Sequence, residues 1–476
     1  MTVKSPIPYS VEYTMARCSA FDLYRKLGAY FSSYETFLLE SLSGDSVDRR
    51  SNFVGCNPIL SLALRSENEV EWVGNPKLVE KAKFELSQIL SLKKEGRDFS
   101  LTDLIQGWTE LFPHSDMNTA CQMSYAARLQ LESLPTMPSE ESAPKLILTL
   151  FQTVGRESIE DPGKVHLASL ISPLWKCPKI SFGILGENRV ERNLPTFPVE
   201  SPMKPFEVER TCTRSHYRNI VEKAKTHLLN GDIYQVQLGH AINIKTLLDP
   251  WEFYLRLRNR NPSPYCFMMP AGKKMLVGAS PEMFVRLTES NEVITRPIAG
   301  TYPANDEFSD HGITDDPKEL AEHRMLLDLA RNDICRLASP GSLDVPQVQA
   351  VVPYSHVKHM VSTVVCRAPH AVGPAQVMSE MFPAGTMTGA PKIRAMEIIN
   401  DLEVDSREFY SGCVGLIGGK SVNLGLAIRC ATHFDQTYSI RASAGIVLDS
   451  DPDSEWQETL NKMAATYWAI CDEELV

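Results

Sequence analysis

Two Glu-x-x-Glu steps stand far apart in the chain, Glu319/Glu322 and Glu455/Glu458, and each falls in a segment that reads as a helix. Residues i and i+3 share a helix face, so each step aims two carboxylates one way. Two such helices could close on a hard cation such as Mg2+. Either pair alone is an ordinary solvated helix face; the company of each argues for more. After the first step, apolar Leu320, Leu327, Ala330, Ile334 and Leu337 recur at helical spacing until Pro340-Gly341 stops the pattern. The second step follows Asp449-Ser-Asp-Pro452-Asp-Ser, where Ser and Asp around a proline provide a helix start. Zinc is the competing reading, because Glu319-Leu-Ala-Glu322-His323 is half of an inverted zinc-protease pattern. Its first His is absent and the second step offers no imidazole or thiolate, so the oxygen ligands favour Mg2+.

Between the two steps runs Phe382-Pro-Ala-Gly-Thr386-Met-Thr388-Gly-Ala-Pro391-Lys392-Ile-Arg394-Ala-Met396. Taken together, these strings resemble the chorismate-utilising enzymes: anthranilate synthase component I, aminodeoxychorismate synthase component I, and the isochorismate and salicylate synthases. The resemblance is strong over residues 208–470 and weaker before them. It implies an α/β (α+β) fold of the anthranilate synthase component I kind. Two facing antiparallel sheets would be surrounded by helices, with the active site in the cleft.

Composition agrees with such an enzyme without pointing to it. At 476 residues, 43% hydrophobic and 22% charged, the chain can bury one large core plus a smaller one. A net charge of -11 with no basic tract argues against nucleic acid or an anionic membrane as the main partner. An anionic substrate then needs local positive charge or a metal. Eleven cysteines without a C-x-x-C pair, no charged-then-apolar leader and no membrane-length apolar run read as reduced thiols in a cytoplasmic enzyme.

The prolines from Pro173 to Pro205 mark a connection, giving an N-terminal region 1–172, a Pro-rich connection 173–207 and a catalytic region 208–470. Lys145 to Phe151 reads as a buried strand, and Tyr217 to Asn230 as a helix ended by Gly231. Gly412 to Ile417, Gly418-Gly419 and Lys420 to Cys430 read as a hairpin, which explains Gly-Gly-Lys-Ser better than a phosphate loop does.

On the resemblance, Mg2+ bridges acidic side chains and the ring carboxylate of chorismate, with Glu322 and Glu458 as ligands and Glu319 and Glu455 behind them. Gly278-Ala-Ser-Pro281-Glu282 matches the Ser-Pro-Glu whose Glu is the general acid for the departing C4 hydroxyl, a role that needs a raised pKa. Read alone, Ser280-Pro281 is a helix start. In Tyr354-Ser-His356-Val-Lys-His359, the second His matches the candidate base for pyruvate elimination. Tyr410 and Arg429 match the residues that hold the enolpyruvyl carboxylate. Thr386, Gly445 and Lys462 match residues around the ring carboxylate, and facing such an anion would offset the cost of burying a lysine.

Gln235 stands where water-incorporating relatives carry a Lys base, as it does in ammonia-using relatives. Ala299 stands where aminodeoxychorismate synthases carry a nucleophilic Lys. Both positions favour addition of ammonia at C2. The main reading is Mg2+-dependent amination of chorismate, loss of the C4 hydroxyl and pyruvate elimination to anthranilate. The alternative stops at 2-amino-2-deoxyisochorismate; further alternatives are an aminodeoxychorismate synthase component I and a non-catalytic paralogue. Gly239-His240, Tyr302-Pro303-Ala304, Asn423 and Ser443 depart from the anthranilate synthase pattern, argue against ordinary tryptophan-pathway activity and suit a paralogue with shifted product or partner; tryptophan biosynthesis and secondary metabolism both stay open. Ser443 replaces a glycine whose N–H approaches the ring carboxylate.

Leu38-Leu39-Glu40-Ser41 and Asn261-Pro262-Ser263-Pro264-Tyr265 resemble the segments of a tryptophan feedback pocket, although Arg49-Arg50-Ser51 differs from the family's Arg-Tyr-Ser. No Gly-x-Cys-x-Gly nucleophile is present, so ammonia is expected from a separate glutamine amidotransferase subunit. An oligomer is expected.

Overall fold

The computed structural model describes residues 9–16, 18–28, 30–48, 50–66, 69–92, 100–113, 118–131, 143–171, 204–303, 317–354 and 357–475. The expected connection is outside them up to residue 203, as are Arg49, Ala304 and His356. Among the described residues the strands hydrogen-bond into one 21-stranded network. The strands that carry the site pair antiparallel.

Alternation along single strands shows how this network folds over on itself. In Tyr265–Ala271, Cys266 and Met268 join one core, while Phe267 and Met269 turn to a second. In Cys413–Ile417, Val414 and Leu416 join that same second core, while Cys413 and Ile417 turn to a third. Two sheet layers therefore face each other across the Phe37, Phe151, Phe267 and Leu416 core, as expected, and helices cover their outer faces. Sequence order does not separate the layers. Glu40 pairs with Cys266, and Met123 pairs with Cys413, so strands of the N-terminal and catalytic regions alternate.

Two helices carry the carboxylate steps. Pro317–Cys335 packs on the strands Ile298–Pro303 and Val357–Arg367. Pro452–Cys471 starts as its sequence predicts, with Pro452 in the first turn and Asp451 accepting from the Ser454 N–H, and it packs on Thr437–Ile446. The helix read from Tyr217 spans Arg214–Leu229.

Two local expectations change. The strand read from Lys145 to Phe151 runs Leu146–Ser158. The hairpin is present, its turn closed by the Gly418 N–H donating to Ser421 O at 2.9 Å, but its second strand is Val422–Leu426 and Cys430–Phe434 is a separate strand. The break centres on Arg429, whose φ of 51° ends extended pairing and turns its side chain out of the ladder. Ser280-Pro281 starts no helix; it joins the strands Lys274–Ser280 and Met283–Leu287 and leaves Glu282 at a corner.

Candidate active site

Glu282 is 7% exposed, and its Oε1 accepts a 3.0 Å hydrogen bond from Thr386 Oγ1. Beside it lies a cavity of about 20 Å3 walled by Phe284, Leu326, Leu329 and Ala330. Burial against these apolar walls pushes the carboxyl up to about 8, against the opposing pull of Thr386 and Lys462. Glu282 therefore holds its proton at neutrality, which is the raised value an acid at this position needs. Thr386 is itself held in place: Asp333 accepts from the Gly385 N–H and from Lys392 Nζ at 2.6 Å, which ties this loop to the Pro317–Cys335 helix.

The floor of the site is the ladder between Gln235–Lys245 and Thr437–Ile446, where Gly445 faces Gln237 and Ser443 faces Gly239. A Cβ on Gly445 would lie 2.5 Å from Gln235 Nε2, so the missing side chain is what admits the amide. Gln235 Nε2 donates to Glu322 Oε1 at 3.4 Å. From the other wall, Lys462 Nζ reaches Glu458 Oε1 at 2.6 Å and donates to Ser443 O at 3.0 Å. The two carboxylate steps are thus linked through one strip of backbone, with Gln235 and Gly445 toward Glu322 and Ser443 and Lys462 toward Glu458. Glu455 is buried, Glu458 is exposed, and Glu319 lies in the first turn of its helix. His323, half of the zinc-like pattern, turns away from them; it is fully buried and its Nε2 contacts Ser362 Oγ at 2.6 Å.

Ala299 and His359 belong to neighbouring strands. Gly300, at φ 65°, makes a bulge between Ala299 and Thr301 and turns its carbonyl toward His359. His359 Nδ1 donates to Gly300 O at 2.9 Å, which leaves Nε2 as the proton-accepting nitrogen. Burial pulls the imidazole down to about 4, so it is neutral in ordinary buffer. Its ring packs edge-on against Tyr354, whose hydroxyl donates to the buried Asp48 at 2.9 Å.

Tyr410 lies within electrostatic reach of the Arg429 guanidinium. Sequence reasoning did not anticipate that Tyr410 would engage a protein hydroxyl, Ser443 Oγ, at 2.7 Å. Beneath them Glu403 takes two hydrogen bonds from Arg407 and an ion pair from Arg441, and also accepts from the Gly239 N–H at 2.9 Å. The Glu403/Arg407 spacing of four in a helix-to-loop segment was the available signal for this network.

The two segments of the expected feedback pocket do adjoin: Glu40 pairs with Cys266, and Ser43 Oγ donates to Pro262 O at 2.8 Å. Glu40 is buried, though, and both of its oxygens are taken. Arg258 donates to them at 2.7 and 2.9 Å, and Tyr254 adds a bond of 2.6 Å. Ser41 N–H donates to Asn52, Ser263 N–H to Cys266 Sγ, Asn261 caps a helix and Tyr265 OH donates to Asn423. The space left among Glu40, Ser41, Arg50 and Tyr265 is about 10 Å3.

The family model described as chorismate binding enzyme matches residues 35–467, which takes in every candidate residue above. The chain belongs to the chorismate-binding enzyme family. It is 40% identical over 480 residues to the 2-amino-4-deoxychorismate synthase of Streptomyces globisporus, across 96% of this chain and 95% of that protein. Anthranilate synthase component 1 of Bacillus pumilus is 32% identical over 466 residues, across 91% of this chain and 87% of its own length. Among solved structures, anthranilate synthase component I from Streptococcus pneumoniae TIGR4 superposes with a TM-score of 0.71 at 25% identity, covering 89% of this chain and 93% of that one. The protein is a chorismate-utilising enzyme of the type shared by anthranilate synthase component I and the aminodeoxychorismate synthases. None of its described helices is long and apolar enough to cross a membrane.

Proposed function

We propose that this enzyme aminates chorismate at C2, expels the C4 hydroxyl and releases the product with its enolpyruvyl group intact. That product is 2-amino-4-deoxychorismate, the same compound as 2-amino-2-deoxyisochorismate. The observation that carries this reading is the near full-length similarity to a relative named for that product. Ala299 supports it, because a methyl group cannot form the covalent C2 adduct that a lysine could.

Balanced chemistry asks little more of the protein. Ammonia forms a bond to C2 while the two ring double bonds shift, and the C4–O bond breaks. The proton of Glu282 joins the leaving hydroxyl to make water, and the new amine sheds a proton to solvent. Lys462, beside the Ser443–Gly445 strip, suits the ring carboxylate, and Arg429 suits the side-chain carboxylate.

For Mg2+, the donor chemistry fits: Glu322 and Glu458 are carboxylates at the two ends of one backbone strip. Among the described residues no three acidic, imidazole or thiol groups gather at one point, so the protein supplies no closed cage. A cation held by two carboxylates, with the rest of its shell from substrate and water, is the ordinary arrangement for Mg2+. Glu322 and Glu458 would hold it, with Glu319 and Glu455 orienting them, and it would neutralise charge at the ring carboxylate. Ammonia would come from a separate glutamine amidotransferase subunit docked on this chain.

A second reading, anthranilate formation, is favoured by His359, whose tautomer leaves Nε2 able to take the C2 proton. The test is to incubate the protein with chorismate, ammonium and Mg2+, then weigh the product and count pyruvate. A 2-amino product without pyruvate, its amine position read by NMR, supports the proposal; a 4-amino isomer refutes it, and one pyruvate per chorismate replaces it with anthranilate synthesis. A hydroxylated product refutes both.

A further inference from the structure

Ser443 stands directly opposite Gly239 in the antiparallel ladder. A Cβ on Gly239 would lie 2.3 Å from Ala442 O, so position 443 alone of this pair has room for a side chain. The buried Ser443 hydroxyl donates to Gln237 Oε1 at 3.2 Å. A serine hydroxyl has one proton, so in the 2.7 Å contact with Tyr410 it is the phenol that donates. The Tyr410 proton is thereby spent inside the protein.

Arg429 lies within electrostatic reach of that phenol. Burial pulls its guanidinium below the ordinary range, Tyr410 and Glu458 pull the other way, and its side chain donates to the Lys462 carbonyl. Among the described residues it makes no ion pair. A guanidinium and a phenol OH together suit a carboxylate, and the Ser443 hydroxyl withdraws the phenol as a donor.

We infer that the Ser443 hydroxyl sets the product: it takes the Tyr410 phenol proton away from the enolpyruvyl carboxylate and leaves that side chain poorly held for departure. This rests on the reading that the wild type keeps its enolpyruvyl group. The step withheld is an elimination. A base takes the C2 proton, the C–H electron pair forms the C2–C3 double bond, and the C3–O bond breaks with its pair on the leaving oxygen. The enolpyruvate then gains a proton on carbon to become pyruvate, and no oxidant or reductant is involved.

The experiment counts pyruvate released per chorismate consumed, with ammonium and Mg2+, for wild type, Ser443→Ala, Tyr410→Phe and the double variant. Ser443→Ala is expected to raise that ratio about tenfold, the size of one redirected hydrogen bond, and the double variant is expected to lose the gain. Ser443→Gly, which leaves the ladder backbone alone, serves if the alanine variant does not fold. An unchanged ratio in a folded Ser443 variant that still consumes chorismate overturns the inference. So does a raised ratio that survives Tyr410→Phe, because space rather than the phenol would then be responsible. One pyruvate per chorismate in the wild type is a different failure: it removes the product reading, and this inference with it.

Discussion

Thr386 Oγ1 donates to Glu282 Oε1 at 3.0 Å inside an apolar corner, so one carboxyl oxygen is fixed by the protein and the other keeps the proton. The consequence for pH follows from the raised value near 8. With the neutral ammonia concentration held constant, kcat/KM should fall as pH rises through about 8, and Glu282→Gln should lose turnover by more than about a hundredfold. Stability runs the same way. The folded carboxyl keeps its proton where the unfolded one, near 4.5, has lost it, so stability drops from about pH 4.5 to 8 and levels off above. Glu282→Gln should therefore melt higher than wild type at pH 8 and show a smaller difference at pH 5. A melting difference independent of pH would count against this account.

For the two carboxylates, Glu322→Gln and Glu458→Gln should each lower turnover by more than about a hundredfold and weaken Mg2+ binding measured by calorimetry. A chelator should abolish activity, with recovery on adding Mg2+. Undiminished Mg2+ affinity in both variants would remove these residues from the metal site.

His359 is neutral above about pH 5, so any pyruvate the enzyme releases should be insensitive to this residue's titration between pH 6 and 9. His359→Ala should cut pyruvate release about tenfold or more, read by a coupled assay. If pyruvate release survives at the wild-type rate, another group is the base.

Tryptophan should leave the initial rate and the chorismate KM unchanged. Its ammonium group would have to displace Arg258 and Tyr254 from Glu40, and its indole would have to open a space that is now about 10 Å3. A rise in chorismate KM on titration with tryptophan would show that the pocket opens.

Glu403→Gln should destabilise the fold by about 3–5 kcal/mol, because Arg407 and Arg441 would be left as buried cations without their shared partner. Those cations hold the Glu403 carboxyl below its usual range, so the stabilisation is present at neutral pH and is lost as pH falls through that lowered value. The urea midpoint at pH 7 reads the first effect and its decline in acid the second.

How much of this was legible in the sequence varies with the range of the interaction. Helix starts and the hairpin turn are set by neighbouring residues, and Asp451-Pro452 and Gly418-Gly419 lie where they were expected. Ser280-Pro281, a helix start only when read alone, forms a corner between strands, because the two make the same local demand on a proline. The stop after Leu426 was hidden, since nothing in Ala427-Ile428-Arg429 declares a positive φ. Tyr410 with Ser443, and Asp333 with the Gly385 N–H, depend on partners brought together by the register of distant strands. The composition of a single segment carries no trace of them.

The alternation of early and late strands also governs how the chain must be made. The Thr36–Glu40 strand is buried on both faces and bonds along one edge to Tyr265–Ala271, and Glu40 waits for Tyr254, 214 positions later. At a synthesis rate of about 5–20 residues per second, that edge stays unpaired for roughly ten seconds or longer. The nascent amino-terminal half therefore presents an unpaired strand edge during that interval, and expression at lowered temperature should raise the yield of folded enzyme without altering its sequence.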